Sequence, residues 1–210
     1  MKIKLSLLIF ISIAFNACVN TNQKQTTIPS DNDSVAVLKT DSTEKIQSKE
    51  IQYSLALSAH AIQMINPENG STKEIGFGMP LEQTLAIVEK ILNAKPTVNI
   101  NSECGAGVLK FATWDNGLTL IFEEKNKEWL FAGWAANKAK NPKAKLTTMS
   151  GIGIGSTRKE MENTYVIKAM KTSLGDEFST KAEDLSGIFD GPNEDAKITN
   201  LWSGVSCNFR

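Results

Sequence analysis

The side chains that could act as acid, base or nucleophile are few and scattered in this sequence. His60 is the only histidine among the 210 residues, and it stands in a probable strand, Ser58-Ala-His-Ala-Ile62. Nucleophilic catalysis needs a serine or cysteine and an orienting acid around the histidine, and no motif in this chain identifies them. Glu123 and Glu124 are strand neighbours that point to opposite faces, which does not suit paired carboxylates of sugar hydrolysis. We therefore predict no catalytic residue and a protein that is not an enzyme.

The glycine-rich segment Gly151-Ile-Gly-Ile-Gly155 is the closest approach to a phosphate-binding loop. Backbone amides at the start of a helix can bind anions. However, no Gly-Lys-Ser or Gly-Lys-Thr follows, and the third glycine of the dinucleotide fingerprint is absent. The segment predicts a structural turn into a helix, and we expect no cofactor.

Cys104 and Cys207 are the two cysteines that follow Cys18. Their spacing fits no redox or zinc motif, and a single histidine cannot complete a metal cluster with them. We therefore predict no metal site. In an exported chain the expected arrangement is a Cys104–Cys207 disulfide that ties the end of the chain to its first half, and two buried free thiols are the alternative.

Four tryptophans are the strongest functional candidates. Trp129 and Trp134 are an odd number of positions apart, so they project from opposite faces of one strand unless a bulge at Gly133 intervenes. Trp202 lies in the last strand of the second half, and Trp114 ends the first hairpin strand. Tryptophan is enriched in protein interfaces, so we predict that Trp134 and Trp202 line a partner contact, with Trp114 and Trp129 as further candidates. The alternative is that all four fill the core.

The first eighteen residues have the parts of an export signal. Two lysines precede an apolar run of about a dozen residues, and Ala17 stands directly before Cys18. Cys18 resembles the acceptor cysteine of bacterial lipoproteins, whose thiol carries a diacylglyceryl group once residues 1–17 are removed. An ordinary signal peptide cut near Ala17, or an uncleaved start with an incidental cysteine, is the alternative.

The lipoprotein resemblance implies where the protein resides. Val19, rather than Asp, follows Cys18, and under the Gram-negative sorting rule this implies transfer to the outer membrane. We expect a protein of the cell envelope that is held by covalent lipid on Cys18, at the outer membrane and facing the periplasm. Its membrane partner is then the bilayer that receives the lipid.

Residues 18–49 predict a disordered tether, because their polar composition buries too little apolar surface to offset the entropy of ordering. The whole chain has 23 Lys and Arg against 23 Asp and Glu. The only local excess of basic residues lies in a connector predicted at 137–150. We interpret this segment as a solvated linker, in preference to a contact with anionic lipid. Nucleic-acid binding needs a denser basic footprint, so we predict no nucleic-acid partner.

An internal repeat organises the rest of the chain. Gly76 and Gly78 align with Gly153 and Gly155, and each glycine pair leads into a helix. Pro80 suits a first helical position, and Thr157 with Glu160 has the spacing of a capping box. The first predicted helix has an apolar stripe at residues 81, 85, 88 and 92, and the second has a shorter stripe at residues 161 and 165.

Runs with strand character follow both helices. They are predicted at 108–114, 118–124, 129–135, 176–180, 185–190 and 198–207, with a leading strand within 53–64. Asn116-Gly117 is a hairpin signal, since both turn positions require positive φ. The fold class that this order predicts is α+β, with two tandem repeats at 50–136 and 151–210, each a short helical segment packed on an antiparallel β-meander.

These glycine entries, capped helices and cysteine-flanked hairpins resemble tandem-repeat secreted domains of the β-lactamase inhibitory protein type. They are also similar to small outer-membrane assembly lipoproteins, whose single unit has a related architecture. The resemblance covers about residues 70–210. It implies a non-catalytic protein that binds other proteins through a sheet face, and it assigns no contact residue.

We therefore expect a lipid-anchored envelope protein that acts as a non-catalytic protein-binding module, with an envelope assembly partner or an inhibited enzyme as its target. The alternative is an envelope hydrolase or a glycan-binding protein that acts on cell-wall material. A concave pocket that contains His60 and a carboxylate would favour a hydrolase, and a solvent-facing His60 would count against it.

Overall fold

The computed structural model describes residues 51–140, 145–181 and 184–207. The predicted signal peptide and the whole predicted tether, including Cys18, lie outside the described residues, as does part of the predicted connector. Within the described ranges, neither helix is long and apolar enough to cross a lipid bilayer.

The described residues form eleven strands and two helices. In chain order these are β1 (Ser54–Leu57), β2 (Ala61–Ile65), β3 (Thr72–Gly76), α1 (Leu81–Leu92), β4 (Thr97–Asn101), β5 (Leu109–Thr113), β6 (Leu118–Lys125), β7 (Glu128–Asn137), α2 (Arg158–Thr164), β8 (Ile167–Thr172), β9 (Gly175–Thr180), β10 (Leu185–Phe189) and β11 (Ile198–Gly204).

These strands make two antiparallel sheets. β1, β2 and β3 form a three-stranded sheet, while β4 to β11 form an eight-stranded sheet in the order β4-β5-β6-β7-β11-β10-β9-β8. The two halves of the large sheet meet where β7 pairs with β11, with Asn200 opposite Asn137 and Gly204 opposite Gly133.

The prediction of an α+β fold built from two helix-on-meander repeats is wrong. The described residues are mostly antiparallel strand, and α2 has only 7 residues. The physical reason is the pairing of β7 with β11, which merges the strands of both halves into one sheet. One hydrophobic cluster then contains buried side chains from both halves and from the small sheet, for example Ile75, Leu120 and Phe178.

Most predicted strands are confirmed to within a few residues as β5, β6, β7, β9, β10 and β11. The leading strand expected within 53–64 is instead the hairpin of β1 and β2, and it belongs to the separate small sheet. β3, β4 and β8 were not predicted. β4 and β8 are the edges of the large sheet and are largely exposed. The β8 sequence lacks the strict apolar alternation of a half-buried strand, whereas β4, Thr-Val-Asn-Ile-Asn, alternates although its apolar residues are exposed.

Both helices begin close to the predicted positions. α1 starts at Leu81, directly after Pro80, and its predicted stripe packs on the core through buried Leu81 and Val88 and half-buried Leu85 and Leu92. The capping box of α2 is confirmed. Glu160 donates its backbone N–H to the Thr157 hydroxyl at 3.1 Å, and its carboxylate accepts from the Thr157 backbone N–H at 2.7 Å.

The eight-stranded sheet has two different faces. Its core face carries the large buried side chains and packs against the small sheet and the helices. The opposite face, here called the open face, carries the alternate residues of the same strands, including Phe111, Ile121, Ile188 and Trp202.

Candidate binding groove on the open face

A groove of about 490 Å³ lies on the open face near the middle of the large sheet. Strands β4, β5, β6, β7, β10 and β11 all contribute to it, together with the segment that follows β11. The lining residues are Asn99, Asn101, Phe111, Thr113, Thr119, Ile121, Ala135, Asn137, Ile188, Asn200, Leu201, Trp202, Ser206 and Cys207.

The floor of the groove combines apolar and amide side chains. Phe111 and Ile188 are half-buried, and Trp202 is 7% exposed. Between them, Asn200 donates its side-chain amide to Asn137 Oδ1 at 2.5 Å. The floor therefore offers apolar surface beside side chains that can both donate and accept hydrogen bonds.

The segment 205–207 forms one wall of the groove. Val205 donates its backbone N–H to the carbonyl of Ala132 at 2.9 Å. Cys207 is paired with Cys104 across a Cα–Cα distance of 5.4 Å, which lies within the usual range for a disulfide. The predicted pairing is therefore present in the structure, and it ties this wall to the loop between β4 and β5.

A second, smaller hydrophobic cluster supports the wall from beneath. Cys104, Leu109 and Ile121 are buried, and Phe111, Val205 and Cys207 pack against them. Asn101 Nδ2 lies 3.7 Å from Cys207 Sγ. Covalent, apolar and polar contacts therefore all hold this segment against the sheet.

The described lining of the groove is uncharged. No Asp, Glu, Lys or Arg stands among the described residues that line it. Depletion of charge together with aromatic side chains is typical of the buried centre of protein interfaces. Such a surface can bury uncharged polypeptide and bond its backbone amides, or it can hold a neutral sugar.

The predicted opposition of Trp129 and Trp134 is absent because β7 contains a bulge. Gly133 pairs with Ile121 and Phe131 with Phe122, which leaves Ala132 as the extra residue. A bulge shifts the alternation by one position, so both tryptophans lie on the core face. The bulge lies one residue from Gly133, the position at which a bulge would reverse the predicted alternation.

Trp134 is fully buried, at 0% exposed, and its indole donates to the carbonyl of Ser58 at 2.7 Å. It therefore packs the core and presents no surface to a partner in this structure. Trp114 is 3% exposed and donates to the carbonyl of Ala94 at 2.9 Å, just beyond the end of α1. Trp129 is half-buried, and Lys110 Nζ lies 4.4 Å from its ring centroid. Of the four candidates, only Trp202 lines the groove.

The surroundings of His60 form a second cavity, of about 430 Å³, which Glu74 and Tyr165 also line. The His60 side chain is 71% exposed, and its Nε2 lies 3.9 Å from Asp184 Oδ2. Two hydroxyls of its lining bond elsewhere, since Ser58 donates to the carbonyl of Ala61 and Tyr165 donates to Thr148. Among the hydrogen bonds of the described residues, none joins His60 to a hydroxyl. The described residues thus place a cavity and a carboxylate beside a histidine that faces solvent.

The part of the chain that the structure describes contains no group of three or more His, Cys, Asp or Glu residues placed to hold a metal ion. The glycine-rich turns are structural in both halves. Gly78 and Gly155 have φ of +92° and +88°, and each leads directly toward the following helix.

The polar residues of the groove were missed by the sequence analysis. Asn99 and Asn101 alternate with Val98 and Ile100 in β4, and this alternation was the available signal. Asn137 and Asn200 lie opposite each other only because β7 pairs with β11. No local pattern could indicate that pair.

Comparison with protein-family models, curated proteins and solved structures finds no match to this chain. The resemblance to tandem-repeat inhibitory domains and assembly lipoproteins therefore stays a prediction.

Proposed function

We propose that this chain is a lipid-anchored cell-envelope protein that acts as a non-catalytic protein-binding module, and that the open-face groove is its contact surface. The observation that carries the proposal is the groove itself, an uncharged concavity with Trp202 in its floor and a disulfide-held wall.

Composition and rigidity both favour a protein partner. The centre of a protein interface is poor in charge and enriched in aromatic side chains. The described lining of this groove carries no charged residue and includes Phe111 and Trp202. A preformed surface also loses less conformational entropy on binding than a mobile one. The Cys104–Cys207 disulfide and the Val205 backbone hydrogen bond supply that rigidity.

The envelope location is supported by the leader and by Cys18, which lie outside the described residues. Replacement Cys18→Ser should abolish incorporation of radiolabelled fatty acid. It should also move the protein from the detergent phase to the aqueous phase in a Triton X-114 partition. Unchanged labelling of the Cys18→Ser variant would contradict the anchor.

The contact surface can be tested with a photo-crosslinking amino acid placed at Thr113, an exposed position in the groove. The matched control places the same amino acid at Asn163, an exposed position of α2 outside the groove. In intact cells we expect a discrete protein adduct from position 113 and none from position 163. Equal adducts from both positions, or none from either, would count against the groove.

A pair of charge substitutions then tests function. Asn137→Arg places a cation in the groove, and Asn163→Arg places one on α2. We expect the first to reduce recovery of the crosslinked partner by roughly tenfold or more, because it forces a desolvated charge into a neutral contact. The second should leave recovery unchanged.

Neutral saccharide binding is the second candidate, favoured by the amides that stand beside the aromatic rings of Phe111 and Trp202. Titration calorimetry with neutral chitooligosaccharides tests it. Binding that Asn137→Arg abolishes, without a protein adduct at position 113, would replace the protein-binding proposal with this one.

A further inference from the structure

Strand β4 is an edge of the large sheet that no further described strand covers. It stands first in the strand order, and among the described strands only β5 pairs with it. Four of its five residues are exposed, including Val98 at 46% and Ile100 at 61%. Among the described residues, its outer backbone edge is therefore unpaired, and Val98 and Ile100 are exposed on one of its faces.

The two edges of the sheet differ in how they resist association. Edge strands offer unpaired backbone groups to other chains, and proteins commonly block them with lysine, proline or bulges. β8 carries Lys168 and Lys171, which provide such protection. β4 has the sequence Thr-Val-Asn-Ile-Asn, with no charged residue and no proline. Its pairing with β5 also runs without a register shift.

The sequence of β4 is complementary to itself in the antiparallel sense. If Asn99 lies on a two-fold axis, Val98 faces Ile100 of a second copy, and Thr97 faces Asn101. Apolar residues then meet apolar residues on one face of the sheet, and polar residues meet polar residues on the other. This isologous arrangement is the one that a two-fold dimer requires.

We propose that two copies of this chain associate through antiparallel pairing of their β4 strands, centred on Asn99, to form one continuous sheet. Asn99 and Asn101 also line the open-face groove. The pairing would therefore bring two grooves together at the dimer axis. The dimer itself does not depend on what the groove binds.

Charge substitutions in β4 can test the proposed register. The full-length protein is kept in detergent, and the molar mass of the protein is measured by light scattering after size-exclusion chromatography. Val98→Lys with Ile100→Lys opposes like charges across the axis, and we expect the dimer dissociation constant to rise roughly tenfold or more. Val98→Lys with Ile100→Glu opposes unlike charges in the proposed register, and this pair should stay dimeric. Both positions are exposed, and circular dichroism should confirm that the two variants are folded.

A cysteine placed on the axis gives an independent test if either charged variant misfolds. Asn99→Cys should form an intermolecular disulfide in the envelope, visible as a dimer on non-reducing gels, since facing Cα atoms of paired strands lie about 4.5–5.5 Å apart. Lys168→Cys on the β8 edge is the matched control and should stay monomeric. The proposal is overturned by a wild-type protein that is monomeric at every concentration, by equal crosslinking at both edges, or by identical behaviour of the two charge pairs.

Discussion

Trp134 lies in a strand that was predicted correctly, but its side chain is buried in the core and not at the predicted partner contact. Its type suggested an interface residue, but it fills the core and bonds the carbonyl of Ser58 at 2.7 Å. Trp129, on the same face, stays half-buried beneath Lys110. Burial, and not residue type, therefore determines what each tryptophan contributes.

This difference predicts unequal losses of stability. Trp134→Ala should lower the free energy of unfolding by about 3–5 kcal/mol, because it leaves a large cavity in the core. Trp129→Ala, the matched control, should cost distinctly less. Urea denaturation at one fixed protein concentration measures both. Equal losses would contradict the assigned burial.

Elements can be stabilised by purely local contacts, and the start of α2 is an example. The pKa of Glu160 is lowered from its ordinary value of 4.5, chiefly because its carboxylate accepts the backbone N–H of Thr157. The Thr157 hydroxyl adds a second contact at 3.1 Å. Both contacts favour the ionised carboxylate.

The lowered pKa predicts a stability contribution that depends on pH. A depressed folded-state pKa stabilises the fold above the unfolded-state value, and this stabilisation is lost as the pH falls through the folded-state value. Wild-type protein should therefore have a higher Tm than Glu160→Gln near pH 7, and the gap should close as the pH falls below 4.5. Thermal melts across that range measure it, with Thr157→Ala as a variant whose pH dependence is weakened. A constant gap down to pH 3 would contradict the capping geometry.

At the scale of the whole molecule, the disulfide links residues that are 103 positions apart. It joins the loop after β4 to the segment after β11 and so holds the wall of the groove. The same link restricts the unfolded chain over a long loop. Stability and the shape of the site therefore depend on one bond.

The double variant Cys104→Ser with Cys207→Ser should lower the free energy of unfolding by about 2–5 kcal/mol. Hydrogen exchange should show a second effect. Relative to the wild type, exchange of the Val205 amide, which donates to the carbonyl of Ala132, should accelerate more than exchange of amides within β6. Urea denaturation under non-reducing conditions gives the first quantity. An unchanged Val205 exchange rate would show that the wall holds its place without the disulfide.

Hairpin turns illustrate how far local signals reach. Asn116-Gly117 marked a real turn between β5 and β6, but only Gly117 has positive φ, at +91°. The turn with two positive φ values is Asn126-Lys127, between β6 and β7. The strand alternation on either side was sufficient to place both strands, whichever turn type joined them.

The sequence by itself determined the local features of this protein. Six strands, the stripe of α1, the capping box of α2 and the turns at the glycine motifs depend on neighbours a few residues away. The cysteine pair could also be expected, because only two cysteines follow Cys18. Within the groove, Trp202 was the one predicted contact residue that proved to line it.

Only the tertiary structure decided which strands meet and which face stays open. The pairing of β7 with β11 joins residues far apart in the chain, and it places strands of both expected repeats in one eight-stranded sheet. The bulge at Ala132 lies in a strand that pairs with β6 on one side and with β11 on the other. Such pairings depend on contacts between distant segments, and these contacts place the amide pair in the groove and Trp134 in the core.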